Sequence, residues 1–306
     1  MTEAIKTLDM SQEEWLEQRK KGIGGSDAGA ICGLNPWKSA VEVYLDKLGE
    51  LPPVEDNERM RIGRDLEAYV AKRFEEATGK KVRRHNFMEI HPDHGFMLAN
   101  IDRKIVGENA LLECKTTGSY SAKDWEDGKV PAHYELQCHH YMAVTGAERV
   151  YIAVLIGNQE FKWATIERDE EVIENLIKIE SDFWHDHVLA KEPPAPDGSE
   201  GYDKVLSSRY QGTDDEVIQL DSVTDKLDRL DKIGELMDEL KEEQRLHQQE
   251  IKALMGEHTA ASVMGRKVTW KPQIRSNVDS KRLREEQPDI YEAYCKESKS
   301  RPFKVY

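Results

Sequence analysis

The sequence predicts an α/β fold, a central mixed sheet flanked by helices, with a helical extension at the C-terminal end. Three observations predict it. The hydrophobic period is helical up to about residue 79, shifts to alternation over the next segments, and then turns helical again from 131. The resulting order is helices, three strands, a helix, two strands and a helix, which packs as a layered α/β unit. Finally, KEPPAPDGSEG, rich in Pro and Gly, separates this unit from a long charged helical pattern.

Taken in order, residues 12–21 read as a short helix that enters a glycine-rich turn, Gly22 to Gly25. Ser26 is placed to cap the helix that follows. Asn35-Pro36 starts another helix, ending near Gly49. PPVEDN is a loop, and residues 60–78 are helical up to Gly79. VRRHNFMEI, FMLANIDRKIV and ALLECKTT read as strands. Residues 131–145 form a helix closed by Gly146. RVYIAVLIG is a buried strand by its β-branched content, FKWATIERD its hairpin partner, and 170–190 an amphipathic helix. The domain reading is therefore 1–192, a linker at 193–206, and an extension at 207–306. In the extension, residues 221–255 form a long helix whose Leu227, Leu230, Ile233, Met237, Leu240, Ile251 and Leu254 fall mostly on one stripe. That stripe reads as a packing or oligomer surface. A strand-like SVMGRKVTW and a basic tail follow, and there is no internal repeat.

Composition narrows the function classes. The chain has 306 residues, 34% charged and 38% hydrophobic, ordinary for a globular protein. No apolar run reaches the roughly 18 residues of a membrane helix. MTEAIKTLDM lacks the apolar core of a signal peptide, so a cytoplasmic location and no membrane partner are expected. Cys32, Cys114, Cys138 and Cys295 lie far apart, which argues for reduced thiols and against structural zinc or an iron–sulfur cluster. The net charge of −15 looks wrong for a nucleic-acid enzyme, but it is segregated. Residues 151–250 carry 11 Lys and Arg against 26 Asp and Glu, whereas residues 251–306 carry 12 against 7. Lys80, Lys81, Arg83 and Arg84 add a basic run in the first half.

The segment NIDRKIVGENALLECKTT (100–117) builds a candidate site. Gly107-Glu108 fits a two-residue hairpin turn, so Val106 pairs with Asn109 and Asp102 falls opposite Glu113. Facing carboxylates about 5 Å apart destabilise a hairpin unless positive charge lies between them. Lys115 points to the same face as Glu113. Two hard oxygen ligands at this separation suit Mg²⁺, with Mn²⁺ as a substitute, and Lys115 is placed to position or deprotonate a water. The competing reading is a salt-bridge cluster on an exposed sheet face.

Asp102, then Glu113-Cys114-Lys115 after ten intervening residues, resembles the PD-(D/E)XK nuclease core, with Ile101 in place of the usual proline. WLEQRKKGIGGSDAGAICGLNPWKS, GRDLEAYVAKRFEEATG and AHYELQCHHYMAVTG, in that order, resemble the YqaJ-like viral recombinase and phage lambda exonuclease family. The resemblance covers roughly residues 11–192 and implies a restriction-endonuclease-like core. It implies that Asp102, Glu113 and the backbone carbonyl of Cys114 bind the metal and that Lys115 is the catalytic lysine. Glu67 would complete the site or hold a second metal through water; read alone, it is a solvated helix acid. Arg19 and Ser26 match positions that hold a 5′-phosphate. An arginine beside a glycine turn and a helix start is also a physical anion site, although the glycines read equally as a tight turn. Gln137 matches a residue that orients water or phosphate, and Tyr141 one that faces DNA; otherwise that helix face is a core edge. His133 and His140 are not expected as ligands. Trp37 and Trp125 either stack on bases at a frayed end or belong to the core.

The resemblance implies a metal-dependent 5′→3′ exonuclease that degrades one strand of linear duplex DNA and leaves a 3′ overhang for recombination. Its implied partners are double-stranded DNA ends, a phage single-strand annealing protein and copies of itself in a trimeric ring, in a bacterial host cell carrying a phage or prophage. Three alternatives stay open: a related nuclease of other polarity, a restriction-type endonuclease, and a non-catalytic scaffold that binds DNA ends. Many of the first carry a four-cysteine iron–sulfur cluster, which these cysteines do not fit; the last would usually have lost the acids or the lysine.

Overall fold

The computed structural model describes residues 4–51, 57–212, 214, 216–296 and 301–305. The loop expected at PPVEDN lies almost wholly outside the described residues. The chain divides into two compact units, Met1–Gln211 and Gly212–Tyr306. The segment read as a linker runs into a helix, Glu200–Arg209, that packs on the helix Ala40–Leu48, so the first unit extends beyond residue 206.

In the first unit the elements run β1 (Ala4–Lys6), α1 (Gln12–Lys20), β2 (Ile23–Gly24), α2 (Gly25–Ile31), α3 (Ala40–Leu48) and α4 (Glu58–Thr78). Strands β3 (Val82–Arg84), β4 (Phe87–Ile90), β5 (Met97–Asn100), β6 (Arg103–Ile105) and β7 (Ala110–Thr117) follow. After a 3-10 stretch come α5 (Ala132–Thr145), β8 (Arg149–Ile156), β9 (Glu160–Glu167), α6 (Glu170–Asp182) and α7 (Glu200–Arg209). A π-helical turn over Phe183–Leu189 ends the helix expected through 190.

Among the described residues of the first unit two sheets form rather than one. The larger has the order β3-β6-β7-β8-β9 and is mixed: β7 pairs parallel with β8 and antiparallel with β6. The smaller has the order β1-β4-β5-β2. Both VRRHNFMEI and FMLANIDRKIV, each expected as one strand, switch sheets midway. The second breaks at Ile101-Asp102. There the Asp102 carboxylate accepts the Cys114 amide at 2.8 Å, taking a donor that a continuing strand would have paired. The expected register holds, with Arg103 opposite Leu112 and Lys104 opposite Leu111. The turn itself is wider than two residues and uses Gly107 at φ 84°, a conformation that favours glycine.

Strand β7 lies inside the larger sheet, covered on both faces. Leu111 belongs to a core shared with Tyr141 and Met142 of α5 and with Ile152 and Val154 of β8. Leu112 points the other way, into a core with Val70, Ala71 and Phe74 of α4. Glu113 and Lys115 share the α5 face, by the two-residue period.

Two local readings change. Ser39, not Asn35-Pro36, caps α3; the Asn35 side chain instead accepts the amides of Trp37 and Lys38 in a turn. Ser26 is inside α2, whose cap is Gly24, held by the Asp27 carboxylate at 3.1 Å. The glycines here serve packing. A Cβ on Gly25 would lie 2.5 Å from Tyr141 Cε1, and one on Gly29 2.7 Å from His133 Cβ, so glycine lets α2 press against α5. Beneath this contact, His140 and Glu180 form a fully buried ion pair at 2.8 Å, and the second ring nitrogen of His140 meets the Leu98 carbonyl at 3.0 Å.

The second unit contains α8 (Thr224–Met255), the hairpin β10 (Ala260–Val263) and β11 (Arg266–Thr269), and the short helices α9 (Ser280–Glu286) and α10 (Pro288–Tyr294). Of the residues on the expected apolar stripe of α8, Leu230, Ile233, Met237, Leu240, Ile251 and Leu254 are exposed. No helix among the described residues is long and apolar enough to cross a membrane.

Two substitutions test this packing. Gly25→Ala inserts a methyl where Tyr141 already sits and is expected to cost about 1–3 kcal/mol in urea unfolding. Glu180→Leu strands His140 without its partner and is expected to cost about 3–5 kcal/mol, with the double change His140→Leu/Glu180→Leu recovering part of it.

Candidate active site

The site grows out of the β6–β7 hairpin. Glu113 is 4% exposed, and its Oε1 contacts Lys115 Nζ at 2.7 Å and accepts Gln137 Nε2 at 2.7 Å. Its other oxygen, Oε2, is buried with no hydrogen-bond partner. Lys115 Nζ also donates to Gln137 Oε1 at 3.0 Å and lies 4.6 Å from the centre of the Tyr134 ring. Gln137 Nε2 reaches the Tyr141 hydroxyl at 2.8 Å, so one helix face of α5 ties the hairpin acids to Tyr141.

The electrostatics are those of carboxylates crowded out of water. Burial, then the charges of Glu113 and Glu67, hold Asp102 well above the usual carboxylate range. Burial alone would lower Lys115, but the Glu113 carboxylate beside it outweighs that and holds the ammonium above its usual value. The Cys114 thiol is pushed up by burial and by the neighbouring acids, so it is no thiolate nucleophile. All four cysteines are free.

Glu67, on α4, is paired with Arg103, whose guanidinium also donates to the Asp102 carbonyl at 2.7 Å. Among the described residues no group of three or more His, Cys, Asp or Glu side chains is arranged to hold a metal. A divalent cation would therefore rest on the Asp102 and Glu113 carboxylates and a backbone carbonyl, with Glu67 drawn to Arg103. The residues fit such an ion. The donors are hard oxygens, and a buried carboxylate oxygen without a partner is costly unless a cation or water meets it.

A cleft of about 180 Å³ opens beside Asp102, lined by Trp15, Arg19, Gly24, Gly25, Ser26, Asn100, Asp102 and Tyr141. Arg19 donates to Ser26 Oγ at 3.0 Å, and its guanidinium lies 4.8 Å from the Trp15 ring centre. Trp15 Nε1 donates to Asn100 Oδ1 at 3.2 Å. Behind the cleft, Lys47 Nζ meets Asp27 Oδ2 at 2.7 Å and the Arg19 carbonyl at 3.2 Å. Burial would raise Asp27, but Lys47, Lys38 and Arg19 hold it well below the usual range. Ser26 and Asp102 thus border one cleft, while Glu113, Lys115 and Gln137 are linked to it through Tyr141.

Of the remaining expectations, Trp125 is buried against Tyr134, whereas Trp37 is 68% exposed and meets the His133 ring edge-on. His140 is occupied by Glu180. Sequence reasoning missed Trp15, Tyr134, Asn100, Arg103, Asp27 and Lys47. Trp15 lies four residues before Arg19, and Tyr134 three before Gln137, so helical spacing carried a signal for these two. The others are joined by tertiary contacts without a local pattern.

Comparison with known proteins gives a consistent result. A family model described as the YqaJ-like viral recombinase domain matches residues 14–148. YqaJ, an uncharacterized protein of Bacillus subtilis (strain 168), is 42% identical over 305 residues, 98% of this chain and 96% of that protein. The crystal structure of an alkaline exonuclease (LHK-Exo) from Laribacter hongkongensis is similar at a TM-score of 0.51 and 20% identity, covering 65% of this chain and 99% of that one. Its complex with dAMP is similar at the same TM-score and identity, over 98% of that chain. The first unit therefore has the PD-(D/E)XK fold, and the chain belongs to the YqaJ-like viral recombinase family.

Proposed function

We propose that this protein is a metal-dependent exodeoxyribonuclease acting 5′→3′ on one strand of linear duplex DNA and leaving a 3′ overhang. The observation that carries the reading is the buried hairpin cluster, in which Glu113 keeps an unpartnered oxygen beside Asp102 and Lys115. A surface salt-bridge cluster would be solvated and would leave no carboxylate oxygen orphaned. The fold shared with an exonuclease crystallised with dAMP supports the same reading.

In this reading Asp102, Glu113 and the Cys114 carbonyl would hold Mg²⁺, with Mn²⁺ as a substitute. The bound ion supplies charge stabilisation at the scissile phosphate and a more acidic water. Lys115 positions the attacking water, and Gln137 fixes Lys115 by accepting a hydrogen bond from its ammonium on Oε1 at 3.0 Å. Arg103 holds Glu67 at the edge of the cluster. Arg19 and Ser26 receive the terminal 5′-phosphate, since a planar guanidinium next to a hydroxyl recognises a phosphate dianion. Tyr141 lines the cleft between this corner and Asp102. The trimeric ring, the annealing-protein partner and the cytoplasm of a phage- or prophage-bearing bacterium belong to the same proposal.

Digestion of end-labelled linear duplex tests it. Wild type is expected to release nucleotides from the 5′-labelled end in Mg²⁺ and to leave covalently closed circles intact. Lys115→Ala is expected to lose about 10²–10⁴-fold in rate. Cleavage of closed circles would instead indicate an endonuclease, and no cutting in Mg²⁺ or Mn²⁺ would leave the scaffold reading. Arg19→Ala is expected to narrow the rate difference between 5′-phosphorylated and 5′-hydroxyl ends, read by comparing the two substrates. Calorimetry with Glu113→Gln is expected to show lost Mg²⁺ binding with the fold retained.

A further inference from the structure

The hairpin β10–β11 stands apart in chemistry from the acidic chain that carries it. Val263 pairs with Arg266 across a two-residue turn, Met264-Gly265, in which both residues have positive φ, 48° and 79°. This is the tight turn whose twist matches a two-stranded ribbon. Met264 at its tip is 99% exposed. Between Glu257 and Asp279 there is no acidic residue, although the whole chain carries a net charge of −15. That stretch holds Arg266, Lys267, Lys271 and Arg275, all exposed. The strand period sends Arg266 and Lys267 to opposite faces of the ribbon, so cations flank the tip on both sides. At the base of the hairpin the Trp270 amide donates to the Thr259 carbonyl at 3.0 Å, and Lys252 Nζ lies 5.9 Å from the Trp270 ring centre.

We propose that this hairpin is a DNA-binding arm. Arg266, Lys267 and Lys271 contact phosphates of a duplex, and Met264 is the apolar wedge that enters at a base step. The inference rests on the DNA reading above but concerns a surface outside the hairpin cluster and the cleft. A solvent-directed methionine at the end of a short cationic ribbon has the form that minor-groove binders use to unstack a step. Ribbon cations that neutralise phosphates release condensed counterions, so the arm contributes a salt-dependent share of affinity. It also gives an acidic protein a place where polyanionic DNA is attracted.

The test uses the full chain and a labelled linear duplex in EDTA, followed by fluorescence anisotropy over a salt series. The variant Arg266→Gln/Lys267→Gln/Lys271→Gln is expected to flatten the slope of log affinity against log salt by about 2.7, the value for three phosphate contacts, and to bind at least about 10-fold more weakly at low salt. Met264→Ala is expected to keep that slope and lose the 2-aminopurine fluorescence rise that reports an unstacked step in the wild-type complex. An unchanged slope in the triple variant overturns the arm. If that variant still digests DNA as wild type does, the nuclease reading stands without it. If wild type neither binds nor cuts duplex DNA, both fall. Binding of poly-glutamate as tight as that of duplex, lost in the triple variant, would overturn DNA as the partner and make the arm a site for acidic protein.

Discussion

The hydrogen bond from the Cys114 amide to the Asp102 carboxylate is the constraint on which the site depends. It ends one strand of the smaller sheet and begins one of the larger. It also fixes the height at which Asp102 faces Glu113. Had the chain run straight through residue 101, Asp102 would have joined a ladder and its carboxylate would have lost that amide. The bond is charge-assisted and favours the ionised form, yet Asp102 is still held well above the usual range by burial and by its acidic neighbours. That conflict is the chemical content of the site: the fold holds carboxylates together at a cost that a cation would relieve.

Around this bond each neighbour has a physical task. Lys115 and Gln137 satisfy one oxygen of Glu113 and leave the other without a partner. Arg103 draws off Glu67, the third acid, by pairing with it from the α4 side of the sheet. Desolvating these charges costs several kcal/mol per ion, which the β7 core around Leu111 and Leu112 must offset. The cleft is built by the same economy of space. Glycine at 25 and 29 lets α2 touch α5, which brings the Arg19 and Ser26 corner up to Tyr141. Asp27 and Lys47 form a buried strut beneath that corner, fixing the α2 cap and the Arg19 backbone together.

Charge segregation would reconcile an acidic protein with the proposed polyanionic substrate. The acidic residues concentrate at 151–250, while the hairpin stretch from 258 to 278 carries none. Electrostatic attraction falls off within about 8 Å at physiological salt, so local patches rather than net charge would govern contact with the proposed DNA substrate.

Much of this was legible from the residues alone. The place of the turn at Gly107, though it is wider than the expected two residues, and strict two-residue alternation set the register, and with it the opposition of Asp102 and Glu113 and the shared face of Lys115. Four-residue helical spacing joined Gln137 to Tyr141. These relations depend on neighbours a few residues apart along a periodic backbone. The break at Ile101-Asp102, the division into two sheets, the Arg103–Glu67 pair and the Asp27–Lys47 strut were not legible. Each joins groups whose separation in sequence carries no period. Ser26 shows the boundary within one residue. Its type and place beside a glycine turn suggested a helix cap, which is a local role. Packing of α2 against α5 moved the cap to Gly24 and left the hydroxyl to Arg19, because there the close helix contact outweighs a local hydrogen-bond preference.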